Sequence, residues 1–168
     1  MKKYTVEGQD FIRVCIGKTI LDKLKVKGFD EISVVDICKA AHIGRTTYYR
    51  YFGTKNGKLE AISFWLSSGW RETGKSDLRV PQKDREFLKY LYSIQEQALT
   101  IVDNGLGYLI DNLIIEVFVD GDLKERDYFR YASAGIWIGV VRAILLNRFE
   151  DDIDTVQNKI AEGLQKLL

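Results

Sequence analysis

Four side chains that can donate hydrogen bonds form two pairs in the N-terminal third of the chain, and the members of each pair are one helical turn apart. Arg45 precedes Tyr49 by four residues, and Thr46 precedes Arg50 by the same spacing. Residues four apart lie on the same side of an α-helix, so these side chains are expected to point outward together. Guanidinium, hydroxyl and phenol groups in such an array can bind a surface rich in hydrogen-bond acceptors.

Two short predicted helices and a tight turn must position this polar face. Ser33 is placed as an N-cap, because its hydroxyl can accept a hydrogen bond from a free N–H of the next turn. Apolar residues recur behind it at helical spacing: Val34, Ile37, Cys38 and Ala41. The turn covers residues 41–44, and a second helix begins near Arg45 with Tyr48 and Phe52 on its buried side. This order is typical of a helix-turn-helix with a recognition helix.

A longer motif surrounds these helices. It consists of Gly28-Phe29, Ile32-Ser33-Val34, Asp36-Ile37-Cys38, Ala40-Ala41, Ile43-Gly44-Arg45 and Thr47-Tyr48-Tyr49-Arg50-Tyr51-Phe52. In this order the motif resembles the tetracycline-repressor (TetR) family of bacterial transcription regulators. The sequence departs from the family at His42, where Gly is common, and over residues 55–59, which are one residue longer than usual. Beyond the N-terminal third, the likeness is to the family's all-helical layout.

Three residues have a chemical reason to contact DNA. Arg45, near the start of the recognition helix, can reach a guanine edge, and Thr46 can meet a base edge or a thymine methyl group. Ser33 can bind a phosphate, because the free N–H groups of a helix N-terminus favour anions. The sequence therefore predicts base contacts from the recognition helix and a phosphate contact from the helix before it.

The resemblance implies a further set of contacts to the DNA backbone. Phosphate hydrogen bonds are implied for Thr47, Tyr49 and Tyr51, and an added positive charge for Lys55. Two alternatives remain open. Tyr51 would pack beneath the N-terminal helices, and Arg50 would be a solvated or phosphate-steering charge.

The distribution of charge agrees with a DNA-binding N-terminal part. Residues 1–60 carry 12 Lys and Arg against 7 Asp and Glu, a net charge of +5, and the remainder carries 13 against 17, a net charge of −4. A basic segment on an acidic body is typical of a chain that meets a polyanion with one part only. A solvated surface would give the same modest excess, so the charge counts only together with the motif.

Catalytic and metal chemistry are not predicted. The one histidine, His42, falls in the turn, and neither Cys15 nor Cys38 has the spacing of a metal or redox motif. Both cysteines occupy apolar helix positions, where a thiol behaves as a small hydrophobic group. We therefore expect no enzyme activity, no metal and no cofactor.

A membrane location is not predicted either. No charged-then-apolar leader opens the sequence, and the longest apolar run, residues 136–146, is interrupted by Arg142 and is short for a bilayer span. The sequence analysis therefore expects a cytoplasmic protein with no membrane partner.

Helical periodicity and the absence of period-two alternation predict an all-α fold of about eight or nine helices. The N-terminal domain, 1–54, is a three-helix helix-turn-helix unit, and 55–168 form a helical bundle for effector binding and dimerisation. The first helix is expected over 9–27, ended by a left-handed Gly28. Later helices are expected over residues 57–72, 82–103, 106–119, 124–149 and 152–168, with loops at 74–81 and 120–122.

Aromatic residues of the second domain predict an effector pocket. The pocket residues expected from the family layout are Trp65, Phe87, Tyr108 and Trp137. An apolar lining of this kind suits an aromatic or amphipathic ligand. The alternative is that these rings only fill the core.

The last two helices are expected to form a dimer interface. The segment 136–146 is apolar nearly all round, so it needs cover on more than one side. The interface residues are predicted to be Trp137, Val140, Val141, Ile144, Val156, Ile160 and Leu164. Two such helices from each subunit would make a symmetric four-helix contact, as in the TetR family. The alternative is that this pair is the monomer's own core.

The predicted function is that of a dimeric DNA-binding transcription regulator, most often a repressor in this family. The dimer would read a near-palindromic operator through Arg45–Tyr51 and respond to an effector in the second domain. The alternative is a protein-interaction module whose second domain binds a protein partner in place of a small molecule.

Overall fold

The computed structural model describes residues 8–53, 55–75, 82–119 and 128–165, without the side chains of residues 8, 9 and 164. Over these ranges the chain is all-helical, and the predicted fold class is confirmed. The helices are α1 Gly8–Leu24, α2 Val34–Ala40, α3 Arg45–Phe52, α4 Gly57–Glu72, α5 Gln82–Ser93, α6 Gln95–Asp103, α7 Tyr108–Val119, α8 Tyr128–Leu146 and α9 Ile153–Gln165. A 3-10 turn, Phe29–Glu31, connects α1 to α2.

The first three helices form a headpiece around a small apolar core. Ile16 and Ile20 of α1, Ile37 of α2, and Tyr48 and Phe52 of α3 are almost completely buried there. These residues recur at helical spacing on each element, so the three apolar faces meet. The headpiece therefore holds α3 by one side only.

Helix α4 belongs to both the headpiece and the body. It crosses α1 at Gly17, where an added Cβ would collide with the carbonyl oxygen of Ala61 and lie 2.7 Å from the Cβ of Trp65. On its other side the Ser67 hydroxyl donates to the carboxylate of Glu116 on α7 over 2.6 Å. Through these two contacts α4 joins the headpiece to the body.

Aromatic rings fill much of the body core. Phe87 of α5 lies with its ring centroid 5.6 Å from Trp70 of α4 and 5.4 Å from Phe118 of α7. Trp137 of α8 stacks nearly parallel on Phe118, with centroids 5.4 Å apart. Edge-to-face and stacked rings of this kind add to the energy of apolar burial. Residues from four helices are therefore tied together at this point.

The single helix predicted over 82–103 is wrong, because the chain contains two helices. Ile94 leaves helical geometry with φ −114° and ψ 22°. Its N–H bonds to Leu91 in a tight i→i−3 turn, and the Ser93 hydroxyl donates to the Tyr90 carbonyl oxygen over 2.6 Å. A serine that bonds to the backbone in this way competes with the helical hydrogen bonds next to the break.

The predicted left-handed Gly28 is also wrong. Gly28 has φ −63° and ψ 153°, which is extended geometry, and its N–H donates to the carboxylate of Glu31. The chain leaves α1 at Leu24, three residues earlier than predicted, and starts the 3-10 turn at Phe29. The predicted loops at 74–81 and 120–122 lie largely or wholly outside the described residues.

The turn between α8 and α9 contains two consecutive left-handed residues. Arg148 has φ 49° and Phe149 has φ 61°, a conformation that side chains other than Gly adopt infrequently. The Phe149 N–H bonds to the Ile144 carbonyl oxygen over 3.0 Å, which closes the end of α8. The Arg148 guanidinium donates to both carboxylate oxygens of Asp103, at 3.0 and 3.1 Å. These contacts hold the turn against the body.

Helix α8 is longer than the apolar run recognised in the sequence, because aromatic residues extend it to Tyr128. By length and composition it is the one helix in the described ranges that could cross a membrane, and 22% of its most apolar 18-residue stretch is buried. Length alone therefore does not exclude a membrane location, contrary to the argument from residues 136–146.

Candidate nucleic-acid interface

The start of α2 is capped as the sequence predicts. The Ser33 hydroxyl accepts a hydrogen bond from the Asp36 N–H over 3.1 Å, and the Asp36 carboxylate accepts one from the Ser33 N–H over 3.4 Å. This reciprocal pair is a capping box. The bonds from Ser33 lower the pKa of Asp36, and Lys27 lowers it further. Ser33 is exposed, so its hydroxyl faces solvent while it caps the helix.

The predicted turn between α2 and α3 contains a left-handed residue at His42. His42 has φ 53°, a conformation that glycine adopts more readily than histidine. The Ile43 N–H returns to the Cys38 carbonyl oxygen over 3.0 Å, which closes α2. Gly44 then serves as the extended N-cap of α3. In the described structure His42 therefore serves through its backbone conformation, which turns the chain from α2 into α3.

Helix α3 is anchored by two aromatic residues. Tyr48 and Phe52 are each 1% exposed, and their ring centroids are 6.1 Å apart. Burial raises the pKa of Tyr48 to about 12, because the phenolate form would lose its hydration. Both residues were predicted as core, and the structure places them there.

The opposite side of α3 carries the polar face. Arg45, Thr46 and Arg50 are exposed, and Tyr49 is 43% exposed. The predicted contacts Thr47 and Tyr51 are half-buried, and Tyr51 packs against the core. The structure thus brings four of the predicted residues together on one open surface, whereas the packing alternative for Tyr51 is realised in part.

The positive charges near α3 have no carboxylate partner among the residues that the structure describes. Over the described residues, none of Arg45, Arg50 and Lys55 forms an ion pair with a carboxylate. The nearest acidic group of α2, Asp36, already accepts from Ser33 and lies 3.7 Å from the ammonium group of Lys27. The guanidinium groups of α3 are therefore available to an external anion.

Lys58 has a structural role beside the candidate interface that the sequence analysis does not predict. Its ammonium group donates to the carbonyl oxygens of Phe29 and Ile32, at 2.6 and 3.1 Å, and lies 4.2 Å from the centroid of the Phe29 ring. These bonds fix the 3-10 turn that leads into Ser33. A lysine in a basic segment gives no sequence signal for such a role, because its partners are backbone atoms about 26 to 29 residues away.

Gly57 sets how closely α4 approaches α3. A Cβ at this position would collide with the carbonyl oxygen of Phe52 and lie 2.9 Å from the Tyr48 hydroxyl oxygen. Only glycine lets the start of α4 pack this closely against the end of α3. The unusual length of segment 55–59 therefore accommodates a buried glycine at the base of the interface.

The four predicted effector-pocket residues do not share one environment. Phe87 and Trp137 meet in the aromatic core, with centroids 6.4 Å apart. Trp65 packs towards α1 beside Gly17, and Tyr108 is 45% exposed at the start of α7. The structure thus brings two of the four together.

The residues predicted for the dimer interface differ in how far they are buried within the single chain. Val141, Ile144 and Val156 are buried within the single chain, whereas Trp137, Val140 and Ile160 are half-buried. The side chain of Leu164 lies outside the described residues. Large exposed residues of α8 that the prediction omitted, Ile136 and Leu146, are 55% and 82% exposed.

Over the described residues, no group of three or more His, Cys, Asp or Glu side chains is placed to hold a metal ion. The family model described as bacterial regulatory proteins, tetR family, matches residues 22–62. That match begins at the end of α1, includes the capped α2, the turn and the whole of α3, and ends within α4. No curated protein matches the chain significantly.

Proposed function

We propose that this chain, a DNA-binding transcription regulator of the bacterial tetR family by its match at residues 22–62, is a dimeric repressor of a near-palindromic operator. The observation that carries the proposal is the open face of α3. It presents Arg45, Thr46, Tyr49 and Arg50 to solvent, while Tyr48 and Phe52 anchor the helix from behind. A helix held in this way can enter the major groove, where side chains read base edges.

The individual contacts follow from position on α3. Arg45 is the first residue of the helix, and the N-terminal residues of a recognition helix meet base edges. Thr46 lies beside it. Tyr49 and Arg50 stand one turn later, towards the phosphate backbone. Ser33 at the start of α2 and Lys55 before α4 flank the groove and would add phosphate contacts, as would Thr47 and the accessible part of Tyr51.

We further propose the division of labour between residues 1–54 and 55–168. The first part binds DNA, and the second part pairs two chains and holds an effector. The effector part of the proposal rests on the family resemblance, because the predicted pocket rings of Phe87 and Trp137 pack against each other in the described residues.

The proposal is tested by selecting tight-binding duplexes from a random pool with the purified protein. We expect a near-palindrome whose half-sites lie about one turn of DNA, roughly 34–36 Å, or somewhat more apart. Affinity should fall steeply with salt, because phosphate contacts release counterions. The double variant Arg45→Ala/Arg50→Ala is the negative control. Selection that yields no sequence preference over random duplexes would refute the function.

A further inference from the structure

The first turn of α4 contacts both sides of the helix-turn-helix. Gly57 packs on the last carbonyl group of α3, at Phe52. The next residue, Lys58, reaches in the other direction, to the 3-10 turn that leads into α2. Two consecutive residues of α4 therefore govern where α3 ends and where α2 begins.

The ammonium group of Lys58 is occupied within the chain. An ammonium group has three N–H donors and no acceptor. Lys58 donates to the carbonyl oxygens of Phe29 and Ile32, and its nitrogen also lies 4.2 Å from the centroid of the Phe29 ring, which attracts a cation. Lys55, in contrast, is exposed and has no hydrogen-bond or ion-pair partner in the described residues. Of the two lysines, only Lys55 is open to a phosphate.

The bond to Ile32 fixes the peptide group that enters α2. A peptide group is planar, so the Ile32 carbonyl and the Ser33 N–H share one orientation. Lys58 donates to the carbonyl oxygen over 3.1 Å, while the Ser33 N–H donates to the Asp36 carboxylate over 3.4 Å. The peptide plane is therefore held at both of its polar atoms, and this sets the direction of the exposed Ser33 side chain.

Lys58 makes this connection beside a cavity. The cavity has a volume of about 230 Å³ and lies between the 3-10 turn, α2, α3 and the start of α4. Its walls include Phe29, Val34, Tyr48 and Lys58. Side chains that border empty space lose the dispersion contacts that close packing supplies. On this side, the position of α2 relative to α4 therefore depends on the Lys58 hydrogen bonds.

We propose that Lys58 is a positioning residue for DNA binding, which holds Ser33 and the N-terminus of α2 against a phosphate without touching DNA itself. The inference rests on the phosphate contact proposed for Ser33. Without the Lys58 donors, the turn before Ser33 can rotate, whereas α3 stays anchored by Tyr48 and Phe52. Affinity for the operator should fall, and the base preference, which α3 sets, should persist.

The substitution Lys58→Met removes the donors and keeps the aliphatic stem. Fluorescence anisotropy with the selected operator should show an affinity lower by about two- to tenfold per chain, the range for one lost hydrogen bond. The slope of log K against log salt should keep its wild-type value. Lys55→Met is the comparison, because loss of a direct phosphate contact should reduce the slope by about 0.9 per chain. Lys89→Met, on α5 in the body, is the matched control and should change neither quantity.

A double-mutant cycle tests whether Lys58 acts through Ser33. Ser33→Ala and Lys58→Met should each weaken operator binding, and the double variant should bind no more weakly than the weaker single variant, because both changes remove the same contact. Lys58→Arg keeps the charge and N–H donors and should recover part of the affinity. Urea titration under the assay conditions establishes that each variant is folded.

Hydrogen exchange under native conditions separates positioning from a general loss of stability. In Lys58→Met the amides of Ser33 and Asp36 should exchange faster, because the start of α2 opens locally. The amides of Tyr48 and Tyr49 in α3 should exchange at the wild-type rate.

Four results would overturn the inference while the proposed function stands, provided that the wild-type protein selects an operator. They are wild-type affinity of Lys58→Met, a salt slope that falls as it does in Lys55→Met, losses from Ser33→Ala and Lys58→Met that add fully, and faster exchange throughout the headpiece. The second would mean that Lys58 binds a phosphate itself, and the last that it only stabilises the fold. A wild-type protein with no preferred operator would overturn the proposed function and this inference with it.

Discussion

Replacing each of the two arginines of α3 by alanine should weaken DNA binding in a different way. Arg45 opens the helix at the end expected to meet base edges, whereas Arg50 lies more than one turn further along. Both are exposed and free of intrachain ion pairs in the described residues. Removing either one therefore changes contacts to DNA and leaves the headpiece core intact.

The expected magnitudes follow from two copies of each residue on a palindromic operator. A bidentate arginine–guanine contact contributes about 1–3 kcal/mol of discrimination, so Arg45→Ala should cost roughly 2–6 kcal/mol over both half-sites. The loss should be confined to operators with the preferred base at one position of each half-site. Arg50→Ala should weaken all sequences alike and should reduce the slope of log K against log salt by about 1.8, which is two phosphates at about 0.9 each.

Fluorescence anisotropy with the selected operator, measured over a series of salt concentrations, gives both quantities. A panel of operators with single symmetric base changes locates the position that Arg45 reads. Arg85→Ala is the matched control, because this exposed arginine is on the body and pairs with Asp154 over 2.8 Å. It should change neither the slope nor the base preference.

The assignment fails if Arg45→Ala lowers affinity equally for every operator in the panel. It also fails if Arg50→Ala leaves the salt slope at the wild-type value while changing the preferred base. Either outcome would mean that α3 enters the groove in another orientation from the one inferred here.

Substitutions at three further residues, Ser33, Gly57 and Tyr48, probe the headpiece and its contact with α4. Ser33→Ala should lower the free energy of unfolding by about 1 kcal/mol, because the N-cap is lost. Ser33→Asp keeps a capping side chain, so urea titration should show an unchanged stability. The same variant should bind the operator more weakly, because its carboxylate would face a phosphate. Gly57→Ala should destabilise the chain by about 1–3 kcal/mol, because its Cβ collides with the last carbonyl of α3; Gly163→Ala, where a Cβ meets nothing within 4 Å, should not destabilise. Stability should fall as pH rises through about 10 towards 12, because the unfolded phenol of Tyr48 loses its proton near pH 10 while burial raises the folded pKa to about 12. Chemical denaturation of Tyr48→Phe should show a smaller decline over the same pH range.

The headpiece could be predicted well because its signals are local. The cap at Ser33, the turn at His42 and the buried side of α3 each depend on residues within a few positions of one another. The role of Lys58 could not be predicted, because its partners are carbonyl oxygens that only the packing of α4 brings near. The same holds for Gly57, whose necessity depends on how closely two helices approach.

The body was harder to predict because apolar content does not identify the side of a helix that is covered. Val141 and Ile144 were expected to face a partner and instead lie in the core, whereas Ile136 and Leu146 are open. The break at Ile94 was missed since no Gly or Pro marks it. Trp65 and Tyr108 are aromatic residues of the kind that line ligand pockets. Trp65 instead packs against α1, and Tyr108 is exposed to solvent.

The contact at Gly17 has a mechanical consequence. The backbones of α1 and α4 touch there, and the Arg13 guanidinium lies 3.6 Å from the centroid of the Phe64 ring along the same seam. Two helices joined this closely cannot slide past each other without a steric collision, so the headpiece and α4 turn as one rigid arm. Because Trp70 of the same helix lies in the aromatic core of the body, any tilt of α4 there would carry α3 with it and would change the distance between the two α3 helices of a dimer.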